Sequence, residues 1–295
     1  MNRTFIARCT ITLGLGIAAI FPLSLTAQTV FATPEEASVT LVKAVQGHDQ
    51  AALAQILGAN WKLVLLPEDI DPEDVDAFLT QYNSSHKIEK DGKTAHLAVG
   101  PTDWTFPVPI VQGASGWSFD LVAGHDEIIT RQIGRNEIDT VQGVLAYYDA
   151  QRDYATEDRN HDGVREYARK FLSTAGKHDG LYWAVKEGEP ESPLGPAFAA
   201  EPPVAGQPLH GYRYRILTAQ GPSAPGGAYK YVVGGRMRNG FAAIAWPARY
   251  GETGVMSFMV SHDGEVFEKD LGKDSAKIAM AMTTFDPDDS WHEVE

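Results

Sequence analysis

Cysteine is nearly absent from this chain: the one cysteine in 295 residues is Cys9, inside an apolar leader. Beyond it there is no disulfide, no thiolate nucleophile and no thiolate metal site. Stability has to come from apolar burial, which a chain of this length can supply in one large core or two modest ones. Positive charge is scarce as well. Twenty-five Lys and Arg stand against 39 Asp and Glu, a formal charge of −14. So acidic a surface argues against nucleic acid and anionic lipid as partners; it suits solubility, cation binding or a basic partner. Past the leader, no apolar run reaches the length of a membrane span.

Several catalytic signatures are missing too. Gly113-Ala114-Ser115-Gly116 has the wrong spacing for a nucleophile elbow. No H-E-x-x-H occurs, and the nine His are scattered. The Gly-rich stretch Gly221–Gly227 lacks the Lys-Ser/Thr end of a phosphate loop.

What is present begins with an export signal over residues 1–27. Arg3 and Arg8 precede the nearly continuous apolar run Cys9–Leu25, and Ala27 offers a small residue for cleavage; Ala32 is a second cleavage point. Cleavage removes Arg3 and Arg8, taking the formal charge from −14 to −16. The mature protein is then periplasmic or secreted, with no stable membrane anchor.

Residues 28–127 read as an α+β module. Thr33-Pro34-Glu35-Glu36 is a helix start, with a hydroxyl cap, Pro at the first helical position and acids at the positive end. Gly47-His48-Asp49 ends that helix and caps the next. Trp61–Leu66 reads as a strand, and the acids between Pro67 and Asp76 open another helix. Lys87–Glu89 and Thr94–Val99 flank a hairpin turn at Lys90–Lys93, and strands follow at Thr105–Val111 and Gly116–Val122. This element order resembles the NTF2-like fold, which holds a pocket between sheet and helices.

Residues 128–285 form the second module, dominated by a long helix from about Asp126 to Thr156. Ile138, Val141, Leu145 and Tyr148 repeat at helical spacing. An acidic turn and a second short helix follow, then the Pro- and Gly-rich connector Gly188–Gly211. Strands come next at Gly211–Ala219, Tyr229–Val233, Gly240–Pro247, Val255–Val260 and Val266–Asp270. The acidic end, 286–295, reads as a mobile tail onto which Trp291 docks.

The acidic turn carries the sharpest chemical signal. Asp158, Asn160, Asp162 and Gly163 have the D-x-N-x-D-G spacing of a calcium loop, which surrounds a hard cation with alternating oxygens while Gly takes the tight turn. Asp158, Asn160 and Asp162 are the candidate side-chain ligands, Val164 a carbonyl ligand, and Glu166 a direct or water-mediated one. The twelfth position, where an EF-hand needs a bidentate acid, is Arg169. The competing reading is an acidic turn whose side chains satisfy nearby backbone groups. His-Asp-Gly recurs at 161–163, 178–180 and 262–264 and reads as ordinary turn chemistry. Glu187 and Glu189 near Tyr182 and Trp183 make the alternative case, a hydrolase acting on envelope sugars or peptides there or in the first module's pocket.

Several short motifs in order resemble the DUF2950 family of exported bacterial proteins. They include Trp117-Ser118-Phe119-Asp120, Ile133–Glu137, Tyr148–Gln151, Asp162–Tyr167, Asp179–Trp183, Ser192–Pro196, Ala245–Ala248 and Lys269–Gly272. The resemblance implies export and names no biochemical role. The second half is also similar to the globular part of type IV pilins, through Asn136-Glu137, Tyr167-Ala168, Phe241–Pro247, Gly254–Phe258 and Asp263-Gly264. That likeness implies a helix packed across an antiparallel sheet. Pilus assembly is not implied, because Leu121–Arg135 is polar where pilins carry an apolar assembly helix. The expected function is a non-catalytic, calcium-steadied envelope protein that binds another protein or envelope component.

Overall fold

The computed structural model describes residues 28–65, 71–159, 161–186, 188–195 and 204–294, which divide into two compact units after Leu121. Residues 1–27, expected as an export leader, lie outside the described residues. No helix among the described residues is long and apolar enough to cross a membrane.

In the first unit, helix α1 (Pro34–Gln46) starts where its cap predicts: Glu36 N–H donates to Thr33 Oγ1 at 3.1 Å, and the α2 helix (Gln50–Leu57) is capped likewise by Asp49. Trp61–Leu65, expected as a strand, is a short helix, α3. A run of five residues, four of them apolar, is too short to show a period, and here it continues the helical hairpin and buries Trp61. Helix α4 (Pro72–Ser84) precedes five strands: β1 (His86–Asp91), β2 (Thr94–Val99), β3 (Trp104–Thr105), β4 (Ile110–Gln112) and β5 (Trp117–Phe119). They form an antiparallel sheet in the order β1-β2-β4-β5, with β3 also on β2. Gly92 makes the β1–β2 turn at φ +58°. Leu41, Ile56, Leu57 and Trp61 from the helices are buried against Ile110, Trp117 and Phe119. Each contributes roughly 1.5–3 kcal/mol through burial.

The second unit is built on the 34-residue helix α5 (Leu121–Tyr154). Its buried face is Thr140, Val144, Tyr147, Ala150, Gln151 and Tyr154. The expected stripe is therefore rotated: Val141, Leu145 and Tyr148 are only partly buried on its flank, and Ile138 is 65% exposed. After α5 come β6 (Tyr212–Leu217), β7 (Ala219–Gln220), β8 (Tyr229–Lys230), β9 (Val232–Val233), β10 (Arg236–Met237), β11 (Ala242–Pro247), β12 (Met256–Ser261) and β13 (Val266–Asp270). Helix α6 (Ser275–Ala281), β14 (Thr284–Phe285) and β15 (His292–Glu293) complete the chain. The main sheet is antiparallel, ordered β15-β13-β12-β11-β6; β14-β7-β8 and β9-β10 form smaller ones.

Helix α5 packs on that sheet through aromatic contacts and backbone capture. Tyr147 Oη donates to the Ala242 carbonyl at 3.0 Å, and its ring meets Phe241 edge-on. Two consecutive polar residues, Asn136 and Glu137, hold the β11–β12 hairpin. Asn136 Nδ2 donates to the Thr253 carbonyl at 2.9 Å, while Glu137 Oε1 accepts from the N–H groups of Val255 and Met256 at 2.8 and 2.9 Å. Gly254 has no side chain there because a Cβ would run into the Tyr212 hydroxyl.

Two further expectations are corrected. No helix follows the acidic turn: residues 164–172 run irregularly, because their backbone is taken by tertiary partners. Tyr167 N–H donates to the Met237 carbonyl, and Ala168 pairs with the side chain of Gln151. The acidic end is not a free tail either. β15 pairs with β13, Val294 N–H donates to the Val266 carbonyl, and Trp291 is 7% exposed beneath Lys269.

Candidate functional site

The acidic turn is curled as its spacing predicts. Asp158 accepts through Oδ1 from Asp162 N–H (3.1 Å) and through Oδ2 from Gly163 N–H (2.8 Å), and Gly163 takes φ +87°. Asp162 Oδ1 accepts from Val164 N–H at 3.1 Å and lies 3.2 Å from the Arg236 guanidinium. Arg236 thus places positive charge at the turn from β10. Glu166 stands partly buried near Tyr154, whose hydroxyl is pushed up to about 12 by burial and then by the Glu166 and Asp179 carboxylates. Asn160 lies outside the described residues. Among the described residues, no three His, Cys, Asp or Glu side chains converge in a metal-binding group.

The three His-Asp-Gly steps go to separate places. His161 sits in the turn at φ +58°. His178 stacks on Trp183 at 4.2 Å, and its carbonyl accepts from Tyr154 Oη. His262 Nε2 lies 3.1 Å from the Tyr229 hydroxyl. Asp179 accepts from Thr174 N–H, Thr174 Oγ1 and Lys170 Nζ, and with Lys170 forms an ion pair at 2.7 Å. Its desolvation raises the carboxyl pKa, but these donors outweigh that and hold it down at about 2. Of the Glu187 and Glu189 pair, Glu187 lies outside the described residues, and Glu189 Oε2 accepts from Lys186 N–H.

The cavity in the second unit involves residues the motif reading passed over. It has a volume of about 840 Å³, a size ordinary for small-molecule and peptide sites. One wall is the α5 surface at Asp139, Gln142, Gly143 and Ala146, with Phe171, Leu172 and Leu194 beside it. The other is β6 at Arg213, Tyr214 and Arg215, with Trp246 of β11 and Met280 of α6. The segment Val204–His210 completes the rim.

Strand alternation sorts these groups onto two faces. Tyr214 points to the α5 side, its hydroxyl over Gly143 and its ring 6.1 Å from that of Phe171. Burial, followed by the Asp139 carboxylate, raises that hydroxyl to about 12. Arg213 and Arg215 take the other face. Arg213 Nη1 donates to the Gly206 carbonyl at 2.8 Å, and Arg215 Nη1 donates to the Met280 carbonyl. Trp246 pairs across the ladder with Arg213 and shares its face. The Trp246 residue is 5% exposed, and its Nε1–H is buried with no acceptor among the described residues. A buried indole N–H without a partner costs free energy unless something arrives to accept from it. The one sequence signal for this site was Arg-x-Arg alternating with Tyr on a strand of an otherwise acidic chain.

No curated protein and no solved structure matches the chain, so the pilin likeness has no shown homologue behind it. The chain belongs to the DUF2950 family, described as "Protein of unknown function", whose family model matches residues 28–294.

Proposed function

We propose that this is an exported protein of the periplasm or cell envelope that acts as a binding module rather than by chemistry of its own. The cavity of the second unit receives its partner. The observation that carries this reading is the Trp246 Nε1–H, buried and without an acceptor among the described residues, on a residue that lines a cavity of about 840 Å³. Apolar walls with a few convergent polar groups are the common form of a ligand site. Export is supported by the leader over residues 1–27. The acidic turn has a structural part in this reading, with calcium as a weak ligand of Asp158, Asn160, Asp162, Val164 and Glu166. The positive φ of Gly163, which the tight turn of such a loop needs, supports that assignment.

The test is retention of envelope-extract components on the immobilised mature protein and on Ala146→Trp, which fills the cavity from the α5 side. The expected result is a component held by the parent and lost by the variant. Equal retention by both, or retention by neither, would overturn the reading.

A further inference from the structure

The edge of β6 has a gap in its hydrogen bonding. Successive residues of an antiparallel strand point their backbone groups alternately to one neighbour and the other. Tyr212 exchanges both of its bonds with Leu209, and its ladder partner is Pro247, which has no N–H. The even-numbered residues of β6 therefore face away from β11. At the far end, Thr218 N–H donates to the Thr283 carbonyl. Between these two closed positions, the outward N–H and C=O groups of Tyr214 and Ile216 meet no partner among the described residues. The cavity wraps round this window, lined by Tyr214 on one face and by Arg213, Arg215 and Trp246 on the other.

We infer that this window receives a short extended segment of another polypeptide, which adds as a strand to β6 and carries acidic residues on either side of an apolar one. The inference rests on the cavity being the binding site and goes further by naming what enters it. The backbone offers two N–H donors and two C=O acceptors, enough for a strand of about four residues at roughly 3.3 Å each. Side chains directly opposite one another share a face. A residue opposite Tyr214 thus enters the apolar side with Phe171 and Ala146, and its neighbours come opposite Arg213 and Arg215. Neither arginine has a carboxylate partner among the described residues, although the chain's formal charge is −14. Two cations that no carboxylate of the described residues neutralises complement acidic side chains.

The probe is a labelled octapeptide whose central residues are aspartate, leucine and aspartate, with a lysine-for-aspartate version as control. Fluorescence anisotropy with the mature protein should show binding of the acidic peptide and none of the basic one. Ile216→Pro removes an outward N–H and leaves the β6–β11 ladder intact, so it should fold normally and weaken binding at least about tenfold. Arg213→Glu with Arg215→Glu should reverse the preference toward the lysine peptide. Equal binding to Ile216→Pro and the parent would overturn strand addition. So would a parent that binds neither peptide while Ala146→Trp still abolishes envelope capture, an outcome that leaves the cavity reading standing. Concentration-dependent dimerisation of the parent, abolished by Ile216→Pro, would overturn it in favour of a second copy of this chain as the occupant.

Discussion

Gln151 and Ala168 form a reciprocal pair: Gln151 Nε2 donates to the Ala168 carbonyl and Ala168 N–H donates to Gln151 Oε1, both at 2.8 Å. The amide side chain on α5 behaves as one rung of a strand, binding the segment that leaves the acidic turn to the middle of the core. Both residues are buried, Gln151 completely. Gln151→Leu keeps the volume and strands two buried backbone groups, which should destabilise the protein by roughly 2–4 kcal/mol. Urea unfolding followed by tryptophan fluorescence measures it. A loss below about 0.5 kcal/mol would show that water or a rearranged backbone replaces the pair.

The Asp179 cluster sets a pH dependence. Its carboxyl is held at about 2 against an ordinary 3.8, by Lys170 and Thr174 acting over a desolvation that works the other way. A depressed carboxylate contributes stability that is fully present above its unfolded pKa and lost as pH falls through the folded value. The contribution is therefore complete above about pH 4 and gone near pH 2, with a size of roughly 1–2 kcal/mol after solvent screening. Asp179→Asn should be less stable than the parent at pH 6 and match it at pH 2. A stability difference that stays constant across that range would exclude the titration as its cause.

Calcium should bind weakly. Arg236 lies 3.2 Å from Asp162 Oδ1, and the acid of the twelfth position is replaced by Arg169, which donates to the Gly235 carbonyl. The expected dissociation constant in calorimetry is about 10⁻³ M or weaker. Arg236→Ala should tighten it, and Asp158→Ala with Asp162→Ala should abolish the heat. Micromolar binding by the parent would mean that Arg236 is not in competition with the ion.

The sequence conveyed the parts of the fold that are governed locally. Strands β2 and β13 lie where alternation and turn residues put them, and α1 starts at the Thr33 cap. The buried face of α5 was misplaced because Thr140 and Gln151 belong to it, and polar residues do not register in an apolar pattern. Residues 164–172 looked helical because nothing local shows that Gln151 and Met237 claim their backbone. The terminal strand β15 was hidden among acids, since only the burial of Trp291 and the ladder with β13 hold it. The candidate cavity was the least legible part. It brings α5, β6, β11 and the segment before β6 together, and its decisive feature is a pair of backbone positions with no neighbour among the described residues, a property of strand order rather than residue type.

Amide hydrogen exchange at Tyr214 and Ile216 is the most direct measurement of the binding role assigned to the second unit. In the free protein both amides should exchange quickly as open edge groups, while those of Arg213 and Arg215, paired with β11, exchange slowly. Saturation with the aspartate–leucine–aspartate octapeptide should slow Tyr214 and Ile216 by at least about tenfold, as an added strand closes the window. Bound peptide with both amides still exchanging at the free rate, or with protection confined to residues of the first unit, would contradict the account.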